Sequence, residues 1–184
     1  MPWAQKAGTI VVDNSSAYRL DPNVPLVIPE INPEDIQKNQ GIIANPNCAT
    51  IIALVALHVL HQEFKIKRMI VSTYQAVSGA GVKGIQDLEN QVKDPSIPSQ
   101  AFPYPIAYNL IPQIGDFDEN GISKEEWKLQ NESRKILHDP DILVNCTCVR
   151  VPIMRSHSES ITIECEKEVD VQKARELLAH APRR

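Results

Sequence analysis

The order of patterned segments predicts an α/β to α+β fold in which helices cover a mixed β-sheet. Short β-branched runs and longer helical patterns follow one another as strands, helix, strand, helix, helix, strands and helix, an order that buries a sheet against helices. The chain has 184 residues, of which 42% are hydrophobic and 23% charged. It can therefore bury the core of one domain, or of one domain and a piece of another.

The first third of the chain predicts short buried strands. Residues 9–13 form a β-branched run after a glycine, and residues 24–28 and 41–44 are two further extended pieces. Between them, residues 32–37 predict one turn of helix because Pro33 stands at its first position.

The middle of the chain predicts a buried helix, a strand and a second helix. Asn47 ends a short turn and is a favourable N-cap for the apolar helix that follows it. Residues 67–74 predict a strand and residues 82–92 a helix. The proline-rich residues 94–112 have no strong periodicity and predict an irregular segment.

The last third begins with a capping box. Ser123 and Glu126 stand three residues apart and open a predicted helix that reaches about residue 138. Residues 141–153 and 160–165 predict strands, and Asp170 is the predicted cap of a final helix that ends near residue 178.

Composition limits the possible partners. The net charge is −4, and no basic run alternates with aromatic residues, so nucleic acid is not a predicted partner. The apolar residues 49–57 are too few to cross a bilayer, and the first residues lack a secretory pattern. The sequence therefore predicts a cytoplasmic protein without a membrane partner. Cys146 and Cys148 alternate within a strand and predict buried, inert thiols rather than a metal site.

Cys48 is a candidate nucleophile at the predicted start of the apolar helix. Unpaired amide groups and the positive end of the helix dipole favour a thiolate there, and enzymes use thiolates for acyl transfer. The alternative is a cysteine that packs as a small hydrophobic side chain. The residues around Cys48 leave both interpretations open.

Four further residues and one short segment could bind or transform a ligand. His157 lies in a polar turn between two strands, where catalytic groups are often placed. Arg150 could hold a carboxylate in a bidentate pair, or form a surface ion pair. Glu125 and Lys128 could bind opposite charges of one ligand, or form an exposed helical contact. Residues 78–81 allow close backbone approach but do not form a phosphate-binding glycine motif.

Five motifs in series resemble those of the aspartate-semialdehyde dehydrogenases. They cover nearly the whole chain, and they are residues 12–19 (VDNSSAYR), 45–50 (NPNCAT), 72–81 (STYQAVSGAG), 125–128 (EEWK) and 150–157 (RVPIMRSH). The resemblance implies that Cys48 attacks the aldehyde carbon of aspartate 4-semialdehyde while His157 takes the proton and Gln75 orients the substrate. Hydride then leaves to NADP, and phosphate releases aspartyl 4-phosphate. In the cell the net direction would be the reverse reduction, in lysine, threonine and methionine biosynthesis.

The resemblance also implies the binding roles. Arg150 would hold the substrate's α-carboxylate and Glu125 its amino group. Lys128 would bind phosphate, and Ser78 with Gly79 would approach the nicotinamide end of NADP.

The resemblance further implies two incomplete domains. Residues 1–47 would be the C-terminal remnant of a nucleotide-binding Rossmann domain, and residues 48–184 a glyceraldehyde-phosphate-dehydrogenase-like catalytic and dimerisation domain that lacks its C-terminal end. The family's glycine-rich turn and its N-terminal phosphate-binding arginine do not occur in this sequence. The expectation is a fragment, a deletion variant or a degenerate copy that binds NADP poorly and turns over slowly or not at all.

Three alternatives accompany this prediction. The chain could be another acyl-phosphate reductase of the same superfamily, such as an N-acetyl-glutamyl-phosphate or glyceraldehyde-phosphate enzyme. It could be a non-catalytic dimerisation fragment, since the resemblance implies a homodimer or a homotetramer. A cysteine hydrolase that uses Cys48 and His157 is the third.

Overall fold

The computed structural model describes residue 4 and residues 6–181, which form two compact units. Unit 1 consists of Met1–Met69, Lys128–Val144 and Thr162–Arg184, and unit 2 of Ile70–Trp127 and Asn145–Ile161. The outer ends of the predicted domains 1–47 and 48–184 lie outside the described residues. The predicted boundary between those domains stays a prediction.

The described helices and strands follow the predicted order. The strands are β1 (Val11–Asp13), β2 (Ile42–Ala44), β3 (Ile66–Gln75), β4 (Leu143–Arg150) and β5 (Ser158–Cys165). The α-helices are α1 (Cys48–Phe64), α2 (Gly81–Lys93), α3 (Lys124–Ile136) and α4 (Val171–Ala179), and 3-10 helices span Pro33–Lys38 and Val77–Ala80.

The strands form two sheets. β1 pairs with β2 in parallel, with Val11 opposite Ile42, and the second sheet has the order β4-β3-β5. The predicted class, a mixed sheet with helices, is confirmed. The extended piece predicted at residues 24–28 contributes a single parallel bridge between Leu26 and Ala44 rather than a full strand, because Pro25 has no amide to donate to a ladder.

Several predicted bounds differ from the observed ones. β4 ends at Arg150 rather than at residue 153. The amide of Val151 still donates to the carbonyl of Gln75 at the end of β3 (3.0 Å), but the next residue, Pro152, has no amide with which to continue a ladder. β5 begins two residues earlier than predicted, at Ser158. α3 ends at Ile136, two residues early, and His138 takes a left-handed backbone conformation (φ 51°) that cannot continue a helix.

Each unit has buried apolar residues of its own. In unit 1, α1 buries Ala49, Ala53 and Leu54 completely, as expected for an apolar helix. In unit 2, a core cluster is made of Val77, Leu88, Ile106 and Ile111. No helix among the described residues is both long and apolar enough to span a membrane.

Two buried polar side chains of α2 hold the irregular residues 94–112. The carboxylate of Asp87 accepts from the amides of residues 100 and 101 at 2.8–3.0 Å. The amide oxygen of Gln91 accepts from the amide of Ile106 (2.8 Å). A segment without a regular ladder needs such partners for its buried backbone groups, and these contacts fix a stretch that has no periodic pattern.

Gly84 allows α2 to pack closely against the preceding 3-10 helix. A Cβ at this position would lie 2.4 Å from the carbonyl oxygen of Val77 and 2.9 Å from the Cβ of Ala80. Alanine is the better helix former by about 1 kcal/mol, but a clash at 2.4 Å with a backbone atom cannot be relieved by side-chain rotation and costs about 2–3 kcal/mol. We expect Gly84→Ala to lower the free energy of unfolding by about 1–2 kcal/mol in urea denaturation. The exposed Gln86→Ala variant of the same helix serves as the control, and an unchanged midpoint for Gly84→Ala would contradict the close packing.

Candidate active site

The backbone of one residue, Ala76, which directly follows β3, positions two of the predicted site residues in unit 2. The backbone amide of Ala76 donates to Nδ1 of His157 (3.1 Å). The carbonyl of Ala76 accepts from a guanidinium nitrogen of Arg150 (2.7 Å). Ala76 is completely buried. The two side chains therefore have a fixed relation to each other, although they are seven residues apart in sequence.

Arg150 is a buried cation rather than a member of a surface ion pair, so that alternative is wrong. It ends β4, and its backbone exchanges two hydrogen bonds with Ile111 (3.0 and 2.8 Å). The residue is 6% exposed, and its guanidinium carbon lies 5.8 Å from the centroid of the Phe102 ring. A guanidinium held in this way is suited to a carboxylate ligand, because bidentate pairing gains strength when water is excluded.

His157 is held as a neutral imidazole. Partial burial lowers the pKa of His157, the cation of Arg150 lowers it further, and the carboxylate of Glu125 acts in the opposite direction. Since Nδ1 accepts the amide of Ala76, the proton of the neutral ring lies on Nε2. His157 can therefore donate a hydrogen bond from Nε2 to a ligand oxygen.

Gln75 and Glu125 form a buried polar pair in the same unit. The Gln75 amide nitrogen donates to a carboxylate oxygen of Glu125 (3.3 Å) and to the hydroxyl of Thr73 (3.3 Å). Glu125 is 6% exposed, so the interpretation as an exposed helical contact is wrong for this residue. A buried carboxylate in this setting is a suitable partner for a ligand ammonium group.

Gly79 leaves space for both Arg150 and His157. A Cβ at this position would lie 2.8 Å from a guanidinium nitrogen of Arg150 and 3.2 Å from Nε2 of His157. The neighbouring Ser78 is half-buried, and its amide donates to the carbonyl of Met154 (3.2 Å) in the loop that leads to His157. The 3-10 helix thus supports the cluster directly, and the predicted contacts of Ser78 and Gly79 with the cofactor stay a prediction.

Cys48 and Lys128 belong to unit 1. Cys48 is exposed and is the first residue of α1. The predicted cap is confirmed, because the side-chain oxygen of Asn47 accepts from the amides of Ala49 (2.9 Å) and Thr50 (3.4 Å). Lys128 is half-buried on α3, three residues after Glu125. A helix start without an acidic residue in its first turn is favourable for a thiolate.

The predicted site residues thus fall into two groups. Unit 2 holds Gln75, Ser78, Gly79, Glu125, Arg150 and His157, whereas unit 1 holds Cys48 and Lys128. Sequence reasoning did not find Ala76, which acts through its backbone, or Phe102, which lies beside Arg150. No local pattern identifies either residue, since both contacts join segments that are far apart in the chain.

Of the two cysteines predicted as buried, inert thiols, Cys148 is buried and Cys146 is half-buried. Cys148 is completely buried, and the Cys146 sulfur lies 3.4 Å from the carbonyl of Glu126. The neighbouring Cys148 thiol and burial raise the pKa of Cys146 far above its usual range. None of the four cysteines, all of which are described, is in a disulfide.

Glu159 is a buried carboxyl group at the start of β5. No described protein group donates a hydrogen bond to either of its buried oxygens, and burial raises the pKa of Glu159 from 4.5 to about 7. The folded state therefore holds this proton to higher pH than the unfolded state, so stability falls as the pH rises from 4.5 to about 7. We expect Glu159→Gln to raise the free energy of unfolding at pH 8 by about 1–3 kcal/mol, with no gain at about pH 4.

Chemical denaturation of Glu159→Gln at the two pH values measures this difference. Glu164→Gln is the control on the same strand, because Lys67 lowers the pKa of the exposed Glu164 carboxylate. It should leave stability unchanged or reduce it slightly at pH 8. An equal gain for Glu159→Gln at both pH values would show that ionisation is not the cause.

Comparison with known proteins gives one family. Residues 57–184 match the family model described as "Semialdehyde dehydrogenase, dimerisation domain". Residues 1–39 match the model described as "Semialdehyde dehydrogenase, NAD binding domain".

Curated relatives and solved structures agree with these matches. The chain is 54% identical to an aspartate-semialdehyde dehydrogenase of Aquifex aeolicus and 50% identical to one of Campylobacter jejuni, over 98% of this chain and 55% and 54% of theirs. The chain thus spans about half the length of the curated relatives it matches. A crystal structure of aspartate semialdehyde dehydrogenase II from Vibrio cholerae superposes with a TM-score of 0.94 at 45% identity, covering 98% of this chain and 56% of that one. The chain belongs to the aspartate-semialdehyde dehydrogenase family.

Proposed function

We propose that the chain carries the acyl-transfer residues for the NADP-dependent reduction of aspartyl 4-phosphate to aspartate 4-semialdehyde, a step of lysine, threonine and methionine biosynthesis. The observation that carries the proposal is the cluster around Ala76, in which a buried cation, a buried carboxylate and a neutral imidazole occur together. An α-amino acid substrate requires one cation for its carboxylate and one anion for its ammonium group. The relatives named above and a Vibrio cholerae structure described as complexed with ASA support the same reaction.

Cys48 is the proposed nucleophile. Its thiolate attacks the acyl carbon of aspartyl 4-phosphate, the carbon–oxygen bond to phosphate breaks, and inorganic phosphate leaves while a thioester forms. Lys128 provides a cation for the departing phosphate, as the acyl-phosphate chemistry requires. The exposed position of Cys48 at a helix start supports the first step, since the thiolate is favoured there and a substrate can reach it.

The cluster around Ala76 in unit 2 is proposed to bind the amino-acid part of the substrate. The guanidinium of Arg150 would hold the α-carboxylate, and the carboxylate of Glu125 would hold the ammonium group. Gln75 already donates to Glu125 (3.3 Å) and would keep that carboxylate in place. These three groups are buried, so each contact would form with little competition from water.

His157 is the proposed donor to the substrate carbonyl oxygen. Its Nε2–H would stabilise the negative charge that develops on this oxygen when the thioester is formed and reduced. The hydrogen bond from Ala76 to Nδ1 supports this reductive role, because the neutral ring then keeps its proton on Nε2. In the reverse reaction, the oxidation of the aldehyde, Nε2 would have to take up a proton. The neutral ring would then have to carry its proton on Nδ1, which the hydrogen bond from the Ala76 amide to Nδ1 disfavours.

NADP is the proposed cofactor. When it is bound, its reduced form supplies the hydride for the thioester carbon. The exposed Gly79, which has no side chain beside Nε2 of His157, leaves backbone surface that a planar ring could approach. A Candida albicans aspartate semialdehyde dehydrogenase solved with NADP superposes with a TM-score of 0.72 at 27% identity, covering 96% of this chain and 50% of that one.

A homodimer or homotetramer is the proposed assembly. The description of the family model that matches residues 57–184 as a dimerisation domain supports it. The predicted cytoplasmic location stays a prediction.

Formation of the acyl-enzyme tests the function without need of the nucleotide. The chain is incubated with aspartyl 4-phosphate, quenched in acid and analysed by intact mass spectrometry and peptide mapping. We expect an aspartyl group on the peptide that contains Cys48, while the peptides of Cys146, Cys148 and Cys165 stay unlabelled. The same incubation with N-acetyl-glutamyl phosphate or acetyl phosphate in place of aspartyl 4-phosphate shows whether the chain is instead one of the other acyl-phosphate reductases. Absence of the adduct, or equal labelling of all cysteines, would contradict the proposal.

A further inference from the structure

A buried ion pair in unit 1 lies directly beneath the turn that carries Cys48. A guanidinium nitrogen of Arg19 contacts a carboxylate oxygen of Glu132 at 3.3 Å. The two residues are 8% and 1% exposed, respectively. The second carboxylate oxygen of Glu132 accepts from the backbone amide of Asn47 at 2.6 Å. The pair therefore contacts the residue that immediately precedes Cys48.

The same pair holds the turn at its other end. Nε of Arg19 donates to the carbonyl of Asn45 (2.9 Å), and another guanidinium nitrogen donates to the carbonyl of Asn14 (3.1 Å). Asn45 and Asn47 flank Pro46, so the turn is fixed on both sides of the proline. All of these contacts lie within unit 1.

The contacts of Asn47 also restrict the position of Cys48. Asn47 is fixed through its amide by Glu132 and through its side chain by the amides of Ala49 (2.9 Å) and Thr50 (3.4 Å). Cys48 lies between the cap and those amides. Its backbone position at the helix start thus depends on where Glu132 holds Asn47.

Fold stability alone does not explain a pair of this kind. Burial raises the pKa of Glu132 above its usual range, although the Asn47 amide and Arg19 act against the shift. Two charges removed from water gain little or nothing over apolar residues of the same size. On α3, Lys128 follows Glu125 by three residues and Glu132 follows Lys128 by four, which places the three on one face of the helix.

We infer that Glu132 and Arg19 form a positioning pair for Cys48, in which Arg19 fixes the Asn45–Asn47 turn and Glu132 fixes the amide of Asn47. The inference rests on the proposed function, because it assigns the pair to the nucleophile of that reaction. Neither residue contacts the substrate in this role. Both act through the backbone of the turn and through the charges that they place beside Asn47, the residue before Cys48.

The test compares variants of the two partners. Glu132→Gln leaves the Arg19 cation without its carboxylate, so the pH midpoint of Cys48 alkylation by iodoacetamide should fall on the order of half a unit. Arg19→Gln leaves the carboxylate without its cation, so the midpoint should rise by a similar amount. Alkylation is measured on the Cys48 peptide by mass spectrometry. Glu63→Gln, at an exposed position of α1, is the control and should keep the parent midpoint.

Glu132→Asp separates the effect of the carboxylate charge from the effect of the side-chain length. It keeps the carboxylate but shortens the side chain by one methylene, so the midpoint should stay near that of the parent. Aspartyl transfer to Cys48 should slow by about tenfold while the apparent affinity for aspartyl 4-phosphate is retained. This variant and Glu132→Gln carry the test if Arg19→Gln does not fold, which thermal denaturation reveals.

The outcomes distinguish this inference from the proposed function. Parent midpoints and parent acylation rates in both Glu132 variants would overturn the positioning role and leave the function intact. Midpoints that move as expected in a chain that forms no aspartyl adduct would overturn the function and support the positioning role. Shifts of the same sign in Glu132→Gln and Arg19→Gln would indicate general disruption of the turn and would also overturn the inference.

Discussion

Replacement of Cys48 by serine is expected to reduce aspartyl transfer by about 10⁴-fold or more. A serine hydroxyl is a weak nucleophile unless a neighbouring base removes its proton. His157 presents an N–H at Nε2 while its Nδ1 accepts the Ala76 amide, so its neutral ring is a poor candidate for such a base. The measurement is the rate of adduct formation with aspartyl 4-phosphate, followed by intact mass spectrometry of the parent and of Cys48→Ser.

Cys165→Ser is the matched control for this substitution. Cys165 lies half-buried at the end of β5, and burial raises the pKa of its thiol. The control should form the adduct at the parent rate. If Cys48→Ser retained a rate within tenfold of the parent, Cys48 would not be the acyl acceptor, and the interpretation as a small packing residue would be favoured.

The sequence predicts features that depend on neighbours in the chain. Asn47 and Asp170 cap their helices as predicted. An N-cap needs only a side-chain oxygen that accepts a hydrogen bond from a backbone amide two or three residues later in the chain. The capping box is present as well, with the Ser123 amide donating to the Glu126 carboxylate (2.8 Å). Local spacing also predicted the position of Cys48 at a helix start.

Contacts between distant residues could not be predicted in this way. The hydrogen bond from Ala76 to His157 joins residues 81 positions apart, and the one from Asn47 to Glu132 joins residues 85 positions apart. Glu132 lies in the middle of a helix rich in charged residues, so its sequence context predicts an exposed side chain. Only the folded chain shows that this glutamate is buried beneath the Cys48 turn.

Arg150→Lys is expected to weaken the binding of aspartyl 4-phosphate by about 10²-fold or more, equivalent to about 3 kcal/mol. Lysine keeps the charge but cannot donate to the Ala76 carbonyl (2.7 Å from Arg150) and also form a bidentate pair with a carboxylate. It also loses the planar group that lies 5.8 Å from the Phe102 ring centroid. The loss should appear as a higher apparent dissociation constant for aspartyl 4-phosphate in the acylation assay, with a smaller change in the maximal rate.

A substrate analogue shows whether this loss belongs to the α-carboxylate. 3-Aminopropanoyl phosphate retains the ammonium group and the acyl phosphate but has no α-carboxylate. The parent should prefer aspartyl 4-phosphate to this analogue by about 10²-fold, and Arg150→Lys should lose most of that preference. Arg155→Lys, at an exposed position of the loop before His157, is the control and should retain it. A group that contacts only the α-carboxylate cannot affect a substrate that lacks it. If Arg150→Lys slowed the reaction of both substrates equally, Arg150 would therefore act by holding Ala76 and His157 rather than by binding the carboxylate.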